Sequence, residues 1–139
     1  MDREEIKKII PHREPMLLID EVDIDENGTA VGYYTVRGDE FFLQGHFPGN
    51  PILPGVIQCE MAAQSCVVLF KDKICGKTPV FTGINNVKFK NPIKPGDKIK
   101  FICEIDKVKH PFYFTKCKAY KAYAEEILCM SGEFSFALV

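Results

Sequence analysis

The chain has 139 residues, a mass of 15.8 kDa and a formal charge of −1, with 46% hydrophobic and 27% charged residues. That is enough chain for one domain with one core, read here as 1–139, and too little for two. Near-neutral charge argues against nucleic acid as the main partner. No run of eighteen apolar residues occurs, and MDREEIKK is charged where a secretory signal needs an apolar stretch, so the chain reads as soluble and cytoplasmic, with no membrane span.

Glycine and proline punctuate the elements. Residues 2–9 read as a short helix ended by Pro11, and Pro15 opens an apolar run from Met16 to Ile24. Glu26-Asn27-Gly28 carries hairpin-turn chemistry, with Thr29–Arg37 as the return strand. Gly38 to Pro54 holds three prolines and reads as an ordered loop. The stretch VIQCEMAAQSCVVLFKD that follows Gly55 lacks both glycine and proline. It is rich in helix formers and apolar nearly all round, which predicts one long buried helix. Val80–Lys90, Lys98–Lys109, Phe112–Tyr123 and Ile127–Leu138 read as strands. About six strands and one buried helix predict an α+β architecture, a curved antiparallel sheet wrapped around the helix.

The six cysteines, at 59, 66, 75, 103, 117 and 129, contain no Cys-x-x-Cys pair. They read as reduced, small core residues, with no metal site. Charge is unevenly spread: residues 1–70 carry 5 basic and 12 acidic groups, residues 71–121 carry 13 and 4. Lysines two apart, as in Lys88/Lys90 and Lys98/Lys100, share a strand face. Solubility and protection of sheet edges explain such pairs; docking of an acidic partner is the alternative.

The loop into the helix, GHFPGNPILPGV, is the most informative segment. Its prolines fix one path once packed and so position something. His46 lies in that loop, and Glu60 lies in the second turn of an otherwise apolar helix, where a carboxylate needs a partner. Gln64, one turn later on the same face, is placed to supply one.

HFPGNPILPGVIQCEMAAQ resembles the signature of the β-hydroxyacyl-acyl carrier protein dehydratases of FabZ type, which have the hot-dog fold. PHREPMLLIDEV and GINNVKFKNPIKPGDKI resemble that family's flanking segments in the same order, so the resemblance covers most of the chain. It implies that His46 is the catalytic histidine and Glu60, fourteen residues later, the catalytic carboxylate. A glutamate here favours the dehydratase branch over the related dehydratase/isomerases, which carry aspartate, and leaves a dehydratase with added trans-2/cis-3 isomerase activity as an alternative. Cys59 and Met61, beside Glu60, depart from the residues many relatives have.

Dehydration of a (3R)-hydroxyacyl thioester requires one base for the C2 proton and one acid for the leaving C3 hydroxyl, roles an imidazole and a glutamic acid can fill. Helix-start N–H groups, Gly55 first and then Val56, are expected to hold the thioester oxygen. Gln64 is expected to orient the acid. No cofactor or metal is needed. The family also implies a homodimer, or a hexamer built as a trimer of dimers, in which each site takes its histidine from one subunit and its carboxylate from the other. Phe47, Ile52, Val56 and Phe81 are candidates for an apolar substrate tunnel. Lys88, Lys90, Lys94 and Lys98 are candidates for docking acyl carrier protein, which is acidic.

A hot-dog thioesterase is the nearest alternative, and His46 in its proline frame argues against it. The Asp-x4-His pattern of (R)-specific enoyl-CoA hydratases is missing. A non-catalytic carrier-binding module has no need to keep both His46 and Glu60. A cysteine hydrolase built on Cys59 fails on geometry, because adjacent helical residues point about 100° apart.

Overall fold

The computed structural model describes all residues from Met1 to Val139. The elements in chain order are α1 (Arg3–Ile6), β1 (Glu21–Ile24), β2 (Ala30–Thr35), α2 (Gly55–Val67), α3 (Lys71–Ile74), β3 (Pro79–Phe89), β4 (Lys98–Lys109), β5 (Phe112–Lys121) and β6 (Ile127–Leu138). The six strands form one antiparallel sheet in the order β1-β2-β4-β5-β6-β3. Helix α2 packs on one face of it, against β2, β4, β5 and β6. This is the hot-dog arrangement expected from the sequence.

Burial explains why the sheet wraps this helix. Met61, Ala62 and Cys66 are fully buried, and Phe101, Cys103, Cys117, Ala119 and Phe134 face them from the strands. Strands β4 and β5 alternate buried and exposed residues where they cover the helix; β4 becomes exposed throughout from Glu104 onward. Five of the six cysteines are buried in the core region and all are free. Cys66 on α2 meets Cys103 and Cys117, which are directly opposite one another on β4 and β5. Burial pushes the Cys103 and Cys117 thiols up, as expected of core residues.

Three boundaries differ from the sequence reading, each for a local reason. The helix over 2–9 shrinks to one turn capped by Asp2, whose carboxylate accepts from Glu5 N–H at 2.9 Å. In the apolar run 16–24 only Glu21–Ile24 is strand, because the Gln64 side chain takes the backbone groups of Met16 and Leu18. Helix α2 ends at Val67 and tightens into a 3₁₀ turn over Val68–Phe70 before α3. Adjacent valines, stiff at χ1, are poor at prolonging a helix.

The segment between β2 and α2 is anchored on both sides. Val36 N–H donates to Asp97 O at 3.0 Å and Leu53 N–H to Ile93 O at 2.8 Å, so the turn before β4 holds both ends. A 3₁₀ turn at Phe41–Leu43 follows Glu40. Glu40 is 6% exposed and accepts from the Tyr34 hydroxyl (2.7 Å) and the N–H groups of Arg37 (3.0 Å) and Gly38 (2.7 Å). Burial opposes its charge, but these donors outweigh burial and hold the carboxyl below its ordinary value of 4.5.

A carboxyl depressed in the folded state contributes stability above its unfolded value and loses it as pH falls through the folded value. We therefore expect Glu40→Gln to cost about 1–2 kcal/mol at pH 7, since an amide cannot accept all three bonds as a carboxylate does. The gap in urea midpoint between the two proteins should narrow as pH drops below 4.5. A gap independent of pH would show that the carboxylate charge is not what holds this turn.

Candidate active site

The proline-rich loop is a small hairpin. Ile52 N–H donates to His46 O at 2.9 Å, and Phe47 and Asn50 exchange backbone bonds at 3.0 and 2.9 Å. His46 Nδ1 lies 2.8 Å from Ile52 O. A carbonyl can only accept, so this contact places the hydrogen on Nδ1 and leaves the Nε2 lone pair free. The Phe47 ring stacks on the imidazole at a centroid distance of 4.2 Å.

His46 lines a largely apolar groove of about 770 Å³ with Ile52, Gly55, Val56, Phe81 and Phe89. Ile52, Val56 and Phe81, three of the tunnel candidates, therefore share one surface. Phe47 is not part of that lining; half exposed, it covers the imidazole. Val56 is 78% exposed, on the rim. At the start of α2, Ile57 and Gln58 N–H both donate to Pro54 O at 3.1 Å. That leaves the Gly55 and Val56 N–H groups as the open donors of the first turn. A Cβ at residue 55 would lie 2.7 Å from the tip of the exposed Phe89 ring, so any larger residue there would have to turn this ring aside.

Glu60 lies elsewhere. It shares a separate pocket of about 40 Å³ with His12, Gln64, Phe81 and Phe136. Within one chain His46 and Glu60 do not line a common cavity; Phe81 contributes to both. Cys59, the neighbour of Glu60, lines the His46 groove instead, as the 100° step between adjacent helical residues requires. Its thiol is pushed up, first by burial and then by the Glu60 charge, which disfavours a nucleophilic thiolate.

Gln64 has partners beyond Glu60. It is 1% exposed, its Oε1 accepts from Leu18 N–H at 2.8 Å, and its Nε2 donates to Met16 O at 2.8 Å and Glu60 Oε1 at 3.3 Å. One amide thus ties the N-terminal segment to α2 and to the carboxylate. The same segment brings His12 to Glu60, with Nε2 at 3.4 Å from Oε1, a neighbour that sequence reasoning missed. The available signal was a histidine beside Pro11, in a stretch otherwise used only for resemblance.

All four docking candidates are exposed. Lys88 lies on β3 and Lys90 lines the His46 groove. Lys94 precedes β4, and Lys98 on β4 holds its amine 4.7 Å from the centre of the Tyr33 ring.

Comparison with known proteins adds sequence and fold evidence. A family model described as ApeI dehydratase matches residues 22–127. A 3-hydroxyacyl-[acyl-carrier-protein] dehydratase FabZ of Clostridium beijerinckii is 52% identical over 112 residues, covering 77% of this chain and 79% of that protein. One from Clostridium botulinum is 44% identical, covering 78% of each. Among solved structures, the dehydratase heterocomplex ApeI:P of Xenorhabdus doucetiae superposes with a TM-score of 0.66 at 20% identity, over 86% of this chain and 96% of that one. The E. coli PaaI protein reaches 0.64 at 14% identity, over 84% and 81%. At such identities the two structures establish the fold alone.

Replacing Gln64 by leucine strands the Leu18 N–H and the Met16 carbonyl and frees Glu60. We expect Gln64→Leu to lower stability by about 2–4 kcal/mol, read as the urea unfolding midpoint. A loss under about 0.5 kcal/mol would mean the segment holds without the amide.

Proposed function

The chain belongs to the FabZ family of 3-hydroxyacyl-[acyl-carrier-protein] dehydratases, and we propose on that basis how its residues remove water from a (3R)-hydroxyacyl thioester during fatty acid elongation. One contact carries the assignment of the base: the 2.8 Å approach of His46 Nδ1 to Ile52 O directs Nε2 as a lone pair toward substrate. His46 Nε2 takes the C2 proton. The Glu60 carboxyl gives its proton to the C3 hydroxyl, the C3–O bond breaks with its electron pair leaving on water, and the C2–H pair becomes the double bond. Negative charge gathering on the thioester oxygen is met by the Gly55 and Val56 N–H groups and the positive end of α2. The chemistry is complete with one base and one acid, without metal or redox cofactor.

In this reading the active protein is at least a homodimer. The separation of His46 and Glu60 into two cavities of one chain supports a site completed by a second copy. Strand β3 is a sheet edge and exposes Val80, Phe81, Ile84 and Phe89. Edges of that kind are blunted by pairing, and Phe81, shared by both cavities, lies on this one. A trimer of dimers is compatible with the same edge pairing. The acyl chain occupies the apolar groove along Ile52 and Phe81, with Phe47 over the histidine. Acyl carrier protein docks through Lys88 and Lys90 beside the groove, with Lys94 and Lys98 extending the basic rim.

With a (3R)-hydroxyacyl carrier substrate, His46→Ala and Glu60→Gln should each lower kcat by about two orders of magnitude or more with the fold retained. The readout is conjugated enoyl thioester formed without release of thiol, which separates dehydration from hydrolysis. Near-parental kcat in either variant removes that residue from the chemistry. Lys88→Glu combined with Lys90→Glu should raise KM for the carrier-bound substrate at least about tenfold, and much more than for a short acyl-pantetheine. Equal changes for both substrates would return these lysines to a solubility role.

A further inference from the structure

Glu60 has a second neighbour beside Gln64. His12 sits in the segment between Pro11 and Pro15, and its Nε2 is 3.4 Å from Glu60 Oε1, an ion-pair distance just beyond ordinary hydrogen-bond range. Contacts of this kind are commonly loose before substrate binds and tighten in the reacting complex. The ring is otherwise an awkward one to bury, because its Nδ1 is shielded from solvent and has no hydrogen-bond partner in the chain.

The two ring nitrogens fix the tautomer. With hydrogen on Nε2, the ring donates to Glu60 Oε1 and leaves an unpaired acceptor at Nδ1. With hydrogen on Nδ1, it would bury an unpaired N–H and aim a lone pair at the carboxyl oxygen. Orphaned buried donors are the rarer case, so Nε2 is the donor. Oε1 then accepts from Gln64 Nε2 at 3.3 Å and has the His12 Nε2 within 3.4 Å, close enough to bond once the carboxyl tightens around substrate, while no donor of the same chain meets Oε2.

We infer that His12 is a positioning residue for Glu60: together with Gln64 it makes Oε1 the carbonyl oxygen of the acid, so that the transferable proton resides on Oε2. The inference rests on the assignment of Glu60 as the acid. When Oε2–H has passed its proton to the departing hydroxyl, the same two donors receive the charge left on the carboxylate. A donor lost from Oε1 lets the proton occupy either oxygen and lets the carboxyl rotate. Small errors in placing a proton donor are costly to rate and need not affect binding. His12 touches the carboxyl and not the reacting carbons, so its removal should appear in kcat and leave KM alone.

The experiment uses three single substitutions in the full-length protein, assayed with carrier-bound (3R)-hydroxyacyl substrate after thermal melts confirm folding. His12→Phe keeps the ring volume and removes the donor. His12→Gln places an amide nitrogen near the position of Nε2, and His12→Asn places one near Nδ1. We expect His12→Phe to lower kcat about ten- to a hundredfold with KM within threefold, and His12→Gln to recover kcat to within about fivefold of the parent, with His12→Asn remaining slow. Added to Glu60→Gln, His12→Phe should change the residual rate by less than about threefold, because two residues acting through one group are not additive.

A parental kcat in folded His12→Phe overturns the inference, as does a full further loss in the Glu60→Gln background. Should His12→Phe fail to fold, the Gln and Asn variants decide, and equal rates in those two overturn it. If Glu60→Gln itself turns over at the parental rate, the acid assignment falls and this inference falls with it. A slow Glu60→Gln beside a fast His12→Phe removes His12 alone.

Discussion

The buried side-chain amide of Gln64 fixes the path of the N-terminal segment over α2 and, with it, the surroundings of Glu60. It is buried on the one helix that the sheet encloses, and it satisfies a backbone donor and a backbone acceptor from the N-terminal segment while also reaching Glu60. Left unpaired, those groups would each carry the desolvation cost of a buried polar atom. The N-terminal segment is consequently held in an irregular path across α2, and the strand that its apolar residues suggest starts only at Glu21. From that path come both the orientation of the Glu60 carboxyl and the placement of His12 beside it.

A second consequence is the division of labour along α2. Its first turn presents open N–H groups to the His46 groove, whereas its second turn presents Glu60 to a different pocket. The first-turn N–H groups open along the helix axis at its start, whereas the Glu60 side chain projects sideways one turn later. The proline-framed hairpin holds His46 by backbone bonds of its own and by the Ile52 carbonyl, so His46 is fixed without any contribution from Glu60. Rigid halves on either side of Phe81 suit an active site assembled from two copies, each giving one half.

Much of this was legible in the sequence because the signals are local. Strand alternation between glycine and proline breaks located β3 to β6 within about two residues, the apolar run after Gly55 gave the buried helix, and an i, i+4 spacing linked Glu60 to Gln64. Distant contacts were not legible. His12 and Glu60 lie 48 residues apart in sequence and meet only because the N-terminal segment is folded over the helix. The ring that crowds Gly55, Phe89, comes from the far end of β3. The separation of His46 from Glu60 depends on which helix face meets the sheet, which an almost wholly apolar helix does not announce.

Subunit exchange reveals whether two copies share one site. His46→Ala and Glu60→Gln are prepared separately, shown to be inactive, and mixed under conditions where exchange is verified by mass labelling. In a mixed dimer one site carries both defects and the other combines an intact His46 with an intact Glu60. Random pairing makes about half of all dimers mixed, so two-fold symmetry predicts recovery to roughly a quarter of the parental rate. A mixture that exchanges fully and stays inactive would contradict the account, because it would mean that each chain completes its own site.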